Sequence, residues 1–134
     1  MPKIGFLLVG HGSKKPYNKQ LIDNTAKIIA GKEAGYIVKT GFMEFSEPTI
    51  PEALESFRGE DIEMLQVVPL FLARGMHIDK DIPGILGIEE GGHNGTFKLN
   101  DKEIPLVFAD PIGENELLAD LMIVNGKKAV EDYL

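Results

Sequence analysis

Short apolar, β-rich runs alternate with segments of helical spacing along this chain of 134 residues, and that alternation admits few folds. Ile4 to Val9 is a continuous apolar run ended by Gly10, which reads as a strand buried on both faces. Leu21, Ile22, Thr25, Ala26, Ile28 and Ile29 recur at three- and four-residue spacing and predict an amphipathic helix over Tyr17 to Ala30. Tyr36 to Phe42 reads as a second strand. Thr49-Ile50-Pro51-Glu52 carries an N-cap, a proline in the first turn and the glutamate of a capping box, so a helix is expected to Phe57. Ile62 to Val68 is the third strand. Met76 to Leu86 is expected to be helical, kinked or interrupted at Pro83-Gly84. Ile88 to Lys102, rich in glycine and charge, is expected as a loop with room for a small hairpin. Leu106 to Ala109 is the fourth strand, and Glu114 to Leu134 is mostly helix, with Leu117, Leu118, Leu121 and Met122 as its core stripe.

Strands separated by single helices imply a parallel sheet with helices on both faces. The expectation is one doubly wound α/β domain over residues 1–134 with a four-stranded parallel sheet. A chain of this size buries roughly two-thirds of its unfolded surface and needs no metal or disulfide staple. Ligands of such sheets bind beyond the carboxyl ends of the strands.

Charge and cysteine content narrow the function. Lys plus Arg number 14 against 21 Asp plus Glu, a net charge of −7, which disfavours nucleic acid and an anionic membrane surface as partners. The absence of cysteine excludes disulfides, thiolate metal sites and a cysteine nucleophile. No apolar stretch approaches the roughly 20 residues that span a bilayer, and Ile4 to Val9 is too short for a signal core. A cytoplasmic protein is the expectation.

Each predicted strand runs into a segment that carries candidate site residues. The first enters Gly10-His11-Gly12-Ser13, the second Met43-Glu44-Phe45-Ser46-Glu47-Pro48, the third Pro69 to His77 and the fourth Asp110-Pro111-Ile112-Gly113. Two of the three histidines therefore fall on one edge, with Glu44 and Asp110. His11, between glycines that permit a tight turn, reads as a metal ligand or general base, or else as a polar turn residue. His77, after Arg74-Gly75, reads as a second imidazole for the same ion or proton, or as a helix-start histidine bonded to backbone. Glu44 is a candidate carboxylate ligand or proton acceptor. Glu47 reads as a brace of its turn, Asp110 as a turn starter and His93 as a solvated loop residue. Lys14, Lys15, Arg74 and Lys80 lie near this edge and would offset the negative field for an anionic ligand. The chain lacks a dinucleotide fingerprint, a phosphate loop and a serine-nucleophile elbow. Two imidazoles with a carboxylate suit a first-row divalent ion such as Co²⁺, Ni²⁺ or Zn²⁺.

Leu8-Val9-Gly10-His11-Gly12-Ser13, Met43 to Pro51, Val67 to His77, Asp81-Ile82-Pro83 and Asp110 to Gly113, in this order and spacing, resemble the small archaeal sirohydrochlorin chelatases. These are class II chelatases that work without ATP. The resemblance covers nearly the whole chain. It implies insertion of Co²⁺ or Ni²⁺ into sirohydrochlorin, for cobalamin or for the nickel tetrapyrrole coenzyme of methanogens. An Fe²⁺ chelatase of the siroheme type and a non-catalytic tetrapyrrole or metal carrier remain open alternatives. It further implies a homodimer, because larger relatives look like two such domains fused. His11 and His77 match the family's active-site histidines, and Glu44 matches a nearby carboxylate. We expect His11 and His77 to hold the metal and accept ring protons, and Glu44 to assist. The expected substrate contacts are Gly10, Gly12, Ser13, Lys14, Lys15, Arg74, Gly75 and Met76. No cofactor is expected beyond the substrate metal ion.

Overall fold

The computed structural model describes residues 3–134. Its elements are β1 (Ile4–Gly10), α1 (Tyr17–Lys32), β2 (Tyr36–Phe42), α2 (Ile50–Ser56), β3 (Met64–Pro69), a π-helical turn (His77–Asp81), α3 (Ile82–Leu86), β4 (Asn94–Lys98), β5 (Glu103–Phe108) and α4 (Glu116–Tyr133). The sheet order is β2-β1-β3-β5-β4. β1 pairs in parallel with β2 and β3, and β3 with β5.

The sheet has five strands, not the four parallel ones expected from the sequence. The addition is β4, which pairs antiparallel with β5 inside the stretch expected as a loop. Phe97 is buried there while its neighbours Thr96 and Lys98 face solvent. β5 also starts earlier than expected, at Glu103, and contains Pro105. Pairing with β3 begins only at Leu106, so Pro105 lies where the strand borders β4 alone and its missing N–H disturbs no β3 bond.

Two apolar clusters sit on opposite faces of the sheet. Leu7, Val9, Leu65, Val67, Leu106 and Phe108 pack against α2, through Ile50, Ala53 and Phe57, and against Ile78, Ile82 and Leu86. On the other face Leu8 and Phe42 pack against Ile22 and Ala26 of α1. Leu21 and Ile28 of the expected α1 stripe are exposed instead.

The α2 start forms as the sequence predicts. Glu52 N–H donates to Thr49 Oγ1 at 3.2 Å, and Thr49 N–H donates to Glu52 Oε1 at 2.8 Å. These bonds from the Thr49 backbone and hydroxyl hold the Glu52 carboxyl below its ordinary value. Its folded value being depressed, the carboxylate stabilises α2 at neutral pH, and that contribution disappears as pH falls through the lowered value. Thr49→Ala should cost about 1 kcal/mol of unfolding free energy in a urea titration. An unchanged midpoint would mean the cap is redundant.

The helix expected over Met76 to Leu86 is built around Pro83. Ile82 N–H donates to the His77 carbonyl, a π-type bond, and α3 follows directly. Pro83 has no N–H to offer the Asp79 carbonyl, and Gly91 N–H takes that place at 2.8 Å. The proline is therefore absorbed by a local change of helix pitch and does not break the segment.

α4 departs furthest from expectation. None of its residues is buried. Leu117 is 71% exposed, Leu121 58% and Met122 54%, so the predicted core stripe finds no core within the chain. The sheet has a matching deficit. On the face opposite α2, Met64, Gln66, Val68 and Val107 of β3 and β5 remain partly exposed, while α1 lies over β1 and β2.

Candidate active site

The β1 and β2 exits are held together past the end of the strands. Met43 N–H donates to the Gly10 carbonyl at 3.0 Å and Glu44 N–H to the His11 carbonyl at 3.1 Å. This places Glu44 Oε1 3.5 Å from His11 Nε2. Gly12 makes the approach possible. It has φ +88°, and a Cβ there would fall 1.7 Å from the Glu44 carbonyl oxygen, so no other residue fits without moving the loop. Gly10 serves packing, since a Cβ there would fall 2.6 Å from Ile22 Cγ1.

His77 arrives from the other side on the π-helical turn. Its ring centroid lies 5.0 Å from that of His11, with the planes at 66°. Phe71 touches both rings, with centroids at 6.2 Å from His11 and 6.1 Å from His77. The Leu70 N–H bond to the Val9 carbonyl, 2.8 Å, anchors the segment that carries Phe71.

Both imidazoles have an acceptor at Nδ1. His11 Nδ1 lies 3.1 Å from the Gly12 carbonyl, and His77 Nδ1 lies 2.9 Å from Asp81 Oδ2. With its proton on Nδ1, each neutral ring donates to this acceptor and leaves Nε2 with its lone pair. A nitrogen so prepared can bind a metal ion or take a proton, and an acceptor behind the ring fixes its orientation. The side chains are accessible: His11 is 44% exposed, Glu44 48% and His77 36%. Half-exposed ion pairs contribute about 0–1 kcal/mol, so stability does not account for Glu44 standing beside His11. Among the described residues no three His, Asp or Glu side chains are arranged to cage a metal.

The other residues singled out from the sequence take several positions. Gly12 N–H donates to Asn18 Oδ1 at 2.9 Å, so it is engaged within the chain, and Ser13 Oγ accepts from Lys15 N–H at 3.3 Å. Lys14 and Lys15 are exposed on the same loop. Arg74 is paired with Asp79 at 3.0 Å and remains exposed. Gly75 and Met76 are exposed, and nothing crowds a Cβ at Gly75. The Glu47 carbonyl accepts from Lys19 Nζ at 2.5 Å, and the Glu47–Pro48 bond is cis. Asp110 lies 3.5 Å from His93 Nε2, and His93 Nδ1 bonds the Phe108 carbonyl at 2.7 Å. His93 is thus tied to the end of β5 rather than simply solvated.

Asp81, Phe71, Asn18 and Phe45 escape a reading of the sequence for site residues. Only Asp81 leaves a signal, its four-residue spacing from His77. Among the described residues Phe45 is the non-glycine residue with positive φ, +64°. Ser46 N–H donates to the Glu44 carbonyl at 2.8 Å, which makes Glu44-Phe45-Ser46 a γ-turn of the rare positive-φ kind. Such a conformation costs an aromatic residue on the order of 1–2 kcal/mol relative to the right-handed one.

Residues 5–128 match the CbiX family. The chain belongs to it. The chain is 47% identical over 128 residues to the sirohydrochlorin cobaltochelatase of Methanosarcina barkeri, covering 96% of this chain and 98% of that one. Identity to the protein of the same description from Methanosarcina acetivorans is 46%, with the same coverage. Among solved structures, the sirohydrochlorin chelatase SirB of Bacillus subtilis subspecies spizizenii, in complex with cobalt, superposes with a TM-score of 0.76 at 22% identity. That match covers 94% of this CbiX-family chain and 50% of SirB, so the fold recurs in a chain about twice as long.

Proposed function

We propose that this chain inserts Co²⁺ into sirohydrochlorin without ATP, releasing two protons. The observation that carries the reading is the pair of imidazoles with ring centroids 5.0 Å apart, each with Nδ1 engaged, beside Glu44 on the open edge of a CbiX-family fold. Insertion requires that metal-bound water be exchanged for ring nitrogens and that two pyrrole N–H protons leave. The Nε2 atoms of His11 and His77 receive the ion or a proton, one at a time at each nitrogen. Glu44, 3.5 Å from His11, takes the proton onward to solvent. Ser13, Lys14, Lys15 and Arg74, with Gly75 and Met76, border the path of the macrocycle and its carboxylates. The same nitrogen donors accept Ni²⁺, so metal supply and not ligand type sets the choice.

A homodimer completes the reading. Its support is the exposed apolar α4, the uncovered side of β3 and β5, and the doubled length of SirB. The test is an anaerobic incubation with sirohydrochlorin and Co²⁺ followed by absorption. A rate well above that of free metal is expected, with repeated turnover. No gain in rate would overturn the proposal, and a single stoichiometric binding event would make the protein a carrier.

A further inference from the structure

Neither packing nor hydrogen bonding explains Phe45. Its side chain is 61% exposed, and its φ of +64° is one that glycine adopts at no steric cost. The γ-turn that holds Glu44 beside His11 would form as well with glycine at the centre. The phenyl ring is therefore surplus to the turn.

The ring faces a groove of about 490 Å³ bordered by Ser13, Lys14, Lys15, Pro16 and Ser46, with the exposed Glu47 as the one acidic residue of the lining. Lys14 Nζ stands 5.4 Å from the ring centroid. Ser46 Oγ donates to the Ser13 carbonyl at 3.4 Å, which closes the two loops around the groove. Lys19, on the same rim, is occupied by Asp23 and the Glu47 carbonyl. Lys14 and Lys15 form no ion pair among the described residues. The groove begins two residues from His11 and one from Glu44. It thus combines an aromatic face with ammonium groups, next to the imidazoles, in a chain of net charge −7.

We infer that Phe45 is a substrate-positioning residue, its ring lying against the macrocycle while Lys14 and Lys15 meet carboxylate arms at that edge. This rests on the chelatase reading. A flat conjugated ring with acidic substituents matches an aromatic face flanked by ammonium groups. Contact at this point sets the plane of the macrocycle relative to His11 and Glu44, and insertion depends on that alignment.

The test is titration of the full-length protein with metal-free sirohydrochlorin, followed by absorption, for the wild type and for Phe45→Gly, Phe45→Ala and Phe45→Tyr. Phe45→Gly and Phe45→Ala should bind about tenfold more weakly, equivalent to about 1.4 kcal/mol, and KM should rise in parallel. Phe45→Tyr should stay within about twofold of wild type. Phe45→Gly should melt no lower than wild type, since glycine relieves the left-handed strain. Binding of Co²⁺ alone should be unchanged in all three. Wild-type affinity in Phe45→Gly and Phe45→Ala would overturn the inference while leaving the chelatase reading intact. A changed sedimentation mass would also overturn it, by assigning the ring to contact between copies. Failure of the wild type to bind sirohydrochlorin would remove both.

Discussion

Replacing either His11 or His77 by alanine is expected to slow cobalt insertion about a hundredfold or more, the lower range for loss of a positioned proton acceptor. On the proposed mechanism the two rings work together, so the double variant should be little worse than either single one. Their centroids lie 5.0 Å apart, and each ring is oriented from behind, His11 by the Gly12 carbonyl and His77 by Asp81. On the proposed mechanism, removing one would leave the other without a partner for the ion. Removing the Asp81 carboxylate, as in Asp81→Ala, frees the His77 ring to rotate and should cost less, about 10- to 100-fold. Both histidines are accessible, so none of these changes should move stability by more than about 0.5 kcal/mol. Initial rates at saturating Co²⁺ and sirohydrochlorin decide the matter. Unchanged turnover in both single variants would remove these roles while leaving family membership untouched.

The site is partly legible in the amino-acid sequence because parallel strands deliver their carboxyl ends to one edge. His11 follows β1 and Glu44 follows β2, and two hydrogen bonds past the strand ends are enough to set them side by side. The chain order of elements therefore encodes that contact. Asp81 stands behind His77 at the four-residue spacing that a helix brings together, so that pairing is legible, whereas the π-helical turn that accommodates Pro83 is not. Phe71 and Phe45 leave no pattern, since a loop aromatic looks the same in sequence whether it faces a site, a core or solvent. β4 is obscured for a different reason. Its alternation, with Phe97 buried between Thr96 and Lys98, is short and follows Gly91-Gly92-His93-Asn94-Gly95, so turn signals swamp the two-residue period. The proline in β5 hides the strand start in the same way.

α4 marks where a single-chain reading fails, and it carries the second large effect. Leu117 to Val124 is apolar on nearly every side, with Asp120 its only charged residue, and a helix of that kind is ordinarily buried. Most helical stability in proteins comes from packing an apolar face, and a contiguous apolar surface marks an interaction site. Reading Leu117, Leu118, Leu121 and Met122 as buried core assumes that the core lies within one chain. The open side of β3 and β5 and the exposed α4 are complementary needs, and the proposed homodimer would meet both. The protein should therefore sediment near twice its 14.7 kDa at micromolar concentration. Leu117→Glu combined with Leu121→Glu removes two apolar side chains from each copy, four in the dimer at about 2 kcal/mol each, which should weaken the dimer more than about a hundred-thousandfold and yield a monomer. That monomer should keep its far-ultraviolet sheet signal, because no residue of α4 is buried against the rest of the chain. A wild-type mass of 14.7 kDa would mean instead that α4 folds back over its own sheet, and the open face would then need no partner.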